Sequence, residues 1–321
     1  ISVRCVGVLR AQISAAFDSG ALVRSWPMRG TVHVTSGRDH HWLRRLLRHR
    51  RAAWERQALS LGLTDALVER AAQVACDLLE TSPQGVSRAE LVEAWGSSGI
   101  DTVTASSSQD GLRRRHLIMR LHVDGVLTAG PVRAGEHLIV DARSLPAAPG
   151  VAKGESGHEE ALAVLAARYA WGHGPVDEAD LARWTGLTLT EARRALAGAR
   201  VVGESMGLPL AACGAGLARA DLTDLVEDFR AEAEAMLALP SFDELHVGYK
   251  DRSCLTDEAG EALICPAKNG MFRPIAVAGG RVVAVRAPGS QVVAADGCRA
   301  YEESARRAFG DWEKWLSETQ Q

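Results

Sequence analysis

Lysine is nearly missing from this 321-residue chain: Lys153, Lys250, Lys268 and Lys314 are the only four. Its basic side chains are therefore arginines, whose planar forks suit bidentate phosphate contacts. GC-rich coding also favours arginine over lysine. The six cysteines (Cys5, Cys76, Cys213, Cys254, Cys265, Cys298) include no C-x-x-C pair. That spacing argues against a zinc site and fits reduced thiols in a cytosol. No run of eighteen apolar residues is present, which excludes a membrane-spanning helix by this criterion. No basic-then-apolar start marks a secretion signal. The chain has no H-E-x-x-H or G-K-[ST], and no Gly-rich phosphate loop.

The net charge of −3 conceals a gradient. Residues 1–60 carry eleven arginines against Asp18, Asp39 and Glu55, a net of +8. Residues 61–150 are at −3 and residues 151–321 at −8. A basic surface concentrated at the N-terminal end points to a polyanion partner. In the same region stands the string Trp26-Pro27-Met28-Arg29-Gly30-Thr31-Val32-His33. Pro27 fixes φ, Gly30 relaxes the backbone, and Arg29 and His33 offer donors around the bend. The chain opens at Ile1, inside what reads as structure, so a preceding segment is expected.

Periodicity predicts a helix over 10–19, strands over 21–26 and 31–35, and one long helix over 37–59 started by Ser36 and Asp39. Trp42, Leu43, Leu46, Leu47 and Trp54 form its apolar stripe. Helices then follow over 65–80, 87–95 and 111–121, with strands at 126–128 and 137–140 joined by a Gly-Pro loop. Helix, helix, helix, hairpin is the winged-helix order, and it recurs over 159–171, 177–184 and 189–199. The second wing is expected at 201–203 and 208–210. Residues 146–157 read as a linker. A helix over 224–239, ended by Pro240, leads to an extended segment at 242–252. A hairpin over 275–285 turning at Gly279-Gly280 and a closing helix over 299–316 complete the chain.

The fold class is α+β: tandem winged-helix units with a C-terminal strand-rich segment and a closing helix. The divisions fall at 1–60, 61–150, 155–238 and 239–321, the first being part of a winged helix.

Arg113, Arg114, Arg115 and Arg120 lie where a recognition helix would sit, and Arg193 and Arg194 occupy the matching place in the second repeat. Arg44, Arg45, Arg48, Arg50 and Arg51 could track phosphates. Each run has a plainer reading as a solvated arginine face. A winged helix can equally be a protein-interaction module. His33 reads as a structural histidine on a strand whose alternate residues face a core. His40-His41 diverge on a helix, so a metal is not expected there. Asp243-Glu244 point to opposite faces of an extended segment, which argues against paired catalysis.

Two separated strings carry a resemblance. The first is Ser25-Trp26-Pro27-Met28-Arg29-Gly30-Thr31-Val32-His33, followed by Asp39 and Trp42-Leu43. The second is Leu239-Pro240-Ser241-Phe242-Asp243-Glu244 with Gly248-Tyr249-Lys250-Asp251-Arg252, Asn269-Gly270-Met271-Phe272-Arg273-Pro274 and the Gly280-Arg281-Val282-Val283 hairpin. Together they resemble the AlkZ-like winged-helix DNA glycosylases, over nearly the whole chain.

The resemblance implies three winged-helix units around a concave basic surface for double-stranded DNA. It implies hydrolysis of the N-glycosidic bond of alkylated bases, or unhooking of crosslinks, in the cytoplasm at the nucleoid. No cofactor, metal or membrane is implied. Arg29, His33, Arg44, Arg48, Arg51, Arg113, Arg114, Arg115, Arg120, Arg193 and Arg194 would contact DNA. The family's catalytic Gln-x-Gln or Gln-x-Asp motif is expected well before the Arg29–His33 string. Gln12 lies too close to Arg29 to fill that role, so the motif is expected ahead of Ile1. The alternative is a non-enzymatic DNA-binding protein or regulator.

Overall fold

The computed structural model describes residues 2–5, 7–47, 52–102, 107–146 and 155–317. The chain divides into two compact units, one of Val8–Ala161 and one of Ile1–Gly7 with Leu162–Gln321.

The first unit begins with α1 (Arg10–Asp18), β1 (Leu22–Met28), β2 (Thr31–Ser36), α2 (Gly37–Leu46) and α3 (Ala52–Ser60). It continues with α4 (Asp65–Thr81), α5 (Arg88–Ser97), α6 (Ser107–Asp124), β3 (Leu127–Arg133) and β4 (Glu136–Asp141). Side chains set the helix starts as the sequence suggests. Ser36 Oγ accepts from Asp39 N, Thr64 accepts from Leu67 N, and Ser87 with Glu90 closes a capping box. The expected single helix over 37–59 is two helices. α2 stops at Leu47, whose backbone (φ −103°, ψ 10°) leaves the helical region.

The four strands form one antiparallel sheet in the order β2-β1-β3-β4. Arg24 on β1 stands opposite Ala129 on β3, so the N-terminal hairpin and the winged-helix hairpin share a sheet. Gly130 and Pro131 lie within β3 rather than in its connecting loop. They sit at a register shift between Ala129 and Val132, the place where a strand tolerates proline. The turn is Ala134-Gly135, both at positive φ. Beneath, Trp95, Leu63, Leu91, Ile100, Leu117, Leu121 and Leu127 are fully buried. The Trp95 indole is satisfied by the Ala71 carbonyl at 2.9 Å. Each such residue contributes about 1.5–3 kcal/mol of burial.

In the second unit, α7 (Glu155–His173, from Leu162 onward), α8 (Glu178–Thr185) and α9 (Leu189–Ser205) precede β5 (Leu210–Cys213) and β6 (Gly216–Arg219). Asp177 with Asp180, and Thr188 with Glu191, form capping boxes, and Gly186 ends α8 in the left-handed region. The wing is therefore β5–β6. Val201, Val202 and Gly203 belong to α9 instead, which runs on because nothing breaks it before Gly207 at φ 70°. Arg219 anchors the wing, stacked 4.1 Å from the Trp171 ring and forked onto Asp221.

The remainder comprises α10 (Leu222–Asp228), α11 (Arg230–Glu234), β7 (Leu237–Leu239), α12 (Glu244–Val247) and α13 (Glu258–Ile264). β8 (Ile275–Ala278), β9 (Arg281–Arg286), β10 (Val292–Ala294) and α14 (Glu302–Ser317) follow. The expected helix over 224–239 is replaced by two short helices and a strand. Leu237–Leu239 pair with Val277–Ile275 on β8, and that tertiary pairing overrides local helical periodicity. The sheet order is β10-β9-β8-β7. α14 covers it with Ala305 and Phe309 packed on Ala276, Val283, Ala284 and Val292. The Gly279-Gly280 hairpin stands as expected, both residues at positive φ.

Candidate nucleic-acid interface

The Trp26–His33 string folds into the β1–β2 hairpin. Ser25 opposes His33 and Met28 opposes Thr31, with Trp26 and Pro27 at an irregularity between them. Arg29 (φ 54°) and Gly30 (φ 68°) make the two-residue turn. Two consecutive left-handed residues match the handedness of a hairpin turn, for which Asn-Gly or Gly-Gly is the usual choice. An arginine in the first position costs roughly 1–2 kcal/mol of steric strain. A strained side chain at a turn is a reason to look for function there.

The hairpin is rooted by His122 of α6. Its Nδ1 lies 3.3 Å from Ser25 Oγ, and its ring meets Trp26 edge-on at 4.7 Å. His122 is buried, and burial, with His40, Arg24 and Arg88 nearby, pushes its pKa down to about 3. His40 is fully buried, and burial beside His41 and Arg44 pushes it down to about 4. Both histidines are neutral parts of the scaffold. His41 turns away to donate to the Ala142 carbonyl at 2.8 Å. Among the described residues no cluster of three His, Cys, Asp or Glu side chains could hold a metal.

None of the six β2 residues is fully buried, although His33 and Thr35 are more covered than Val32 and Val34. β2 is the sheet's edge strand. His33 is half-buried. Its Nε2 lies 2.8 Å from Thr31 Oγ1, two residues along the same strand, while Val32 and Val34 stand exposed.

The arginines divide into two sets. Arg44 donates to the Val123 carbonyl at 3.2 Å and lies over Gly125, where any Cβ would collide with it. Arg113 donates to the Leu61 carbonyl at 2.8 Å and covers Gly62. Each thus satisfies a carbonyl at a helix C-terminus, of α6 and α3 respectively, where a cation is favoured. Arg120 bridges Asp124 at 2.5 Å and Asp65 at 3.0 Å. In the second unit Arg193 pairs with Glu178 at 2.9 Å. By contrast, half-buried Arg114 and exposed Arg115 show no ion pair among the described residues. Arg45 and Arg194 are also exposed. Arg48, Arg50 and Arg51 lie outside the described residues.

Gln12 is held by the backbone: its Oε1 accepts from Leu9 N at 2.8 Å and closes the start of α1. The 321 residues contain no Gln-x-Gln or Gln-x-Asp.

The second string is largely a scaffold. Asp243 is not in an extended segment; it caps α12 and takes two hydrogen bonds from Arg4, at 2.8 and 2.6 Å. Glu244 accepts from the Trp184 indole at 2.8 Å. Tyr169 stacks on both Trp184 and His173 at 4.7 Å, and its hydroxyl donates to the Gly248 carbonyl. Tyr249 donates to the His173 carbonyl, and burial first, then Asp180 and Glu244, push its pKa up to about 12. Arg252 and buried His246 share Glu261. None of these partnerships follows from spacing along the chain. Only the Trp-rich composition signals that aromatic residues are placed deliberately.

A family model described as DNA glycosylase AlkZ-like matches residues 2–308. Among solved structures, the Streptomyces sahachiroi DNA glycosylase AlkZ is similar in fold, with a TM-score of 0.62. It is 21% identical, over 96% of this chain and 85% of that one. No curated protein matches.

Proposed function

The chain belongs to the AlkZ-like DNA glycosylase family, and from that membership we propose that it excises alkylated bases from double-stranded DNA. The carrying observation is the family match across residues 2–308. The substrate class includes bases joined in interstrand crosslinks, and the site of action is the cytoplasmic nucleoid.

The chemistry asks little of the protein. A purine alkylated at N7 carries positive charge and is already a good leaving group. The protein must hold the duplex, stabilise an oxocarbenium-like sugar and position a water. No cofactor is needed for such a hydrolysis.

The holding function falls to basic side chains of the β1–β2 turn, α6 and α9. Arg114 and Arg115 on α6 contact phosphates. The Arg29 turn approaches the duplex with His33 beside it, and Arg194 adds a contact from α9. Arg44, Arg113, Arg120 and Arg193 support these positions through the carbonyls and carboxylates they already hold. An arginine drawn from a helix C-terminus to a phosphate would forfeit those bonds.

Release of N7-methylguanine from duplex DNA by the full-length protein, above the spontaneous rate, tests the proposal. Tight, salt-sensitive binding to an undamaged sequence without release would favour a non-enzymatic DNA-binding protein.

A further inference from the structure

Phe242 has a left-handed backbone, φ 63°. For a bulky aromatic residue that conformation is a true outlier. The strain is imposed from both sides. Leu237–Leu239 are locked into β7 just before it. Just after it, Asp243 caps α12 through Leu245 N at 2.9 Å and is clamped by Arg4.

Burial does not compensate for the strain, because Phe242 is 50% exposed. Its ring forms a T-shaped contact with Phe272 at 5.5 Å and 74°, and Phe272 forms another with buried His246 at 4.9 Å. The ring is therefore stiffly backed and open on its outer side. Met271, next to Phe272 in the chain, is 65% exposed. The turn that carries it is held by Asn269, whose Oδ1 accepts from Met271 N at 3.0 Å.

The loop that carries Met271 offers a cation to a polyanion. The loop over 265–274 contains Lys268 and no carboxylate, while its Arg273 donates to the Leu263 carbonyl at 3.1 Å. Three acids of this region are already engaged: Asp243 by Arg4, Glu244 by the Trp184 indole, and Glu261 by His246 and Arg252. Glu258 and Glu261 line a pocket of about 310 Å³ beside Phe272.

We propose that Phe242, assisted by Met271, is an aromatic wedge that stacks against an unstacked base in duplex DNA. Apolar side chains that enter a base step hold open the distortion by which a target base leaves the helix. A rigid, solvent-open ring kept in place at a conformational cost fits that use. The inference rests on the DNA glycosylase reading.

The test uses the full-length protein and a duplex carrying 2-aminopurine beside an N7-methylguanine. Wild-type protein should bind and raise the fluorescence as the neighbouring base unstacks. Phe242→Gly should lose most of the rise and bind about tenfold more weakly, the scale of one lost base stack. Its melting temperature should stay level or increase, since glycine adopts this φ freely. Met271→Ala, altering a mostly exposed side chain, should weaken binding less, by about threefold. Wild-type fluorescence and affinity in Phe242→Gly would overturn the wedge. So would a loss of binding matched by a loss of folded protein. Should wild-type protein fail to bind any duplex, the glycosylase reading itself fails.

Discussion

The Arg113 guanidinium donates to the carbonyl of Leu61, fifty-two positions earlier, at 2.8 Å. Two positions along α6, Arg115 stands exposed. One run of arginines thus contains both a structural and a free member. Arg113→Ala should destabilise the protein by about 1–2 kcal/mol, the cost of leaving a helix-end carbonyl without its charged donor. Arg115→Ala should leave stability within about 0.5 kcal/mol. It should weaken duplex binding and lower the salt slope by about one. Chemical denaturation and DNA titrations at several salt concentrations check the pair.

The hairpin turn separates strain from contact in the same way. Arg29→Gly removes a left-handed non-glycine residue and should raise stability by up to about 1 kcal/mol. If the Arg29 side chain meets the duplex as proposed, affinity falls as stability rises. Thermal melting and binding measured on one preparation decide this. Unchanged affinity would remove Arg29 from the interface.

Acid should unfold the first unit in a defined window. His40 and His122 have folded pKa values of about 4 and about 3, below the ordinary 6.5. The unfolded chain therefore takes up these protons first. Their contribution to stability is complete above pH 6.5. It declines as pH falls towards 4 for His40 and towards 3 for His122. Each contributes about 1.4 kcal/mol per pH unit within its window. Denaturant midpoints between pH 7 and 4 measure the slope, and His40→Phe should flatten it.

The Arg4–Asp243 pair links the first residues of the second unit to the start of α12. Asp243 has a side chain only 4% exposed, so Arg4→Ala leaves a nearly buried carboxylate with one capping bond. A loss of about 1–3 kcal/mol is expected. Asp243→Asn should lose less than Arg4→Ala, because no charge is stranded and the cap to Leu245 N is kept. Equal losses would mean that the charge of the pair contributes nothing.

What could be read in the chain was local. Ser36-Asp39 announces its helix start because a cap spans three residues. Gly279-Gly280 announces its hairpin for the same reason. The arginine partners were illegible, since Leu61 and Val123 carbonyls reach Arg113 and Arg44 only through tertiary packing. β7 forms where local periodicity predicts helix, because its strand pairing comes from Ile275–Val277, more than thirty residues on. The Trp26–His33 string marked the right hairpin. Yet none of the six β2 residues is fully buried, since an edge strand is less completely covered. The strain at Arg29 and Phe242 is invisible in sequence, because residue type alone does not set φ.

Base release is the most direct measurement. Full-length protein should liberate N7-methylguanine from duplex DNA at a rate well above spontaneous depurination, while an unmodified duplex is left intact. Bound DNA with no base released above the spontaneous rate would contradict the enzymatic account.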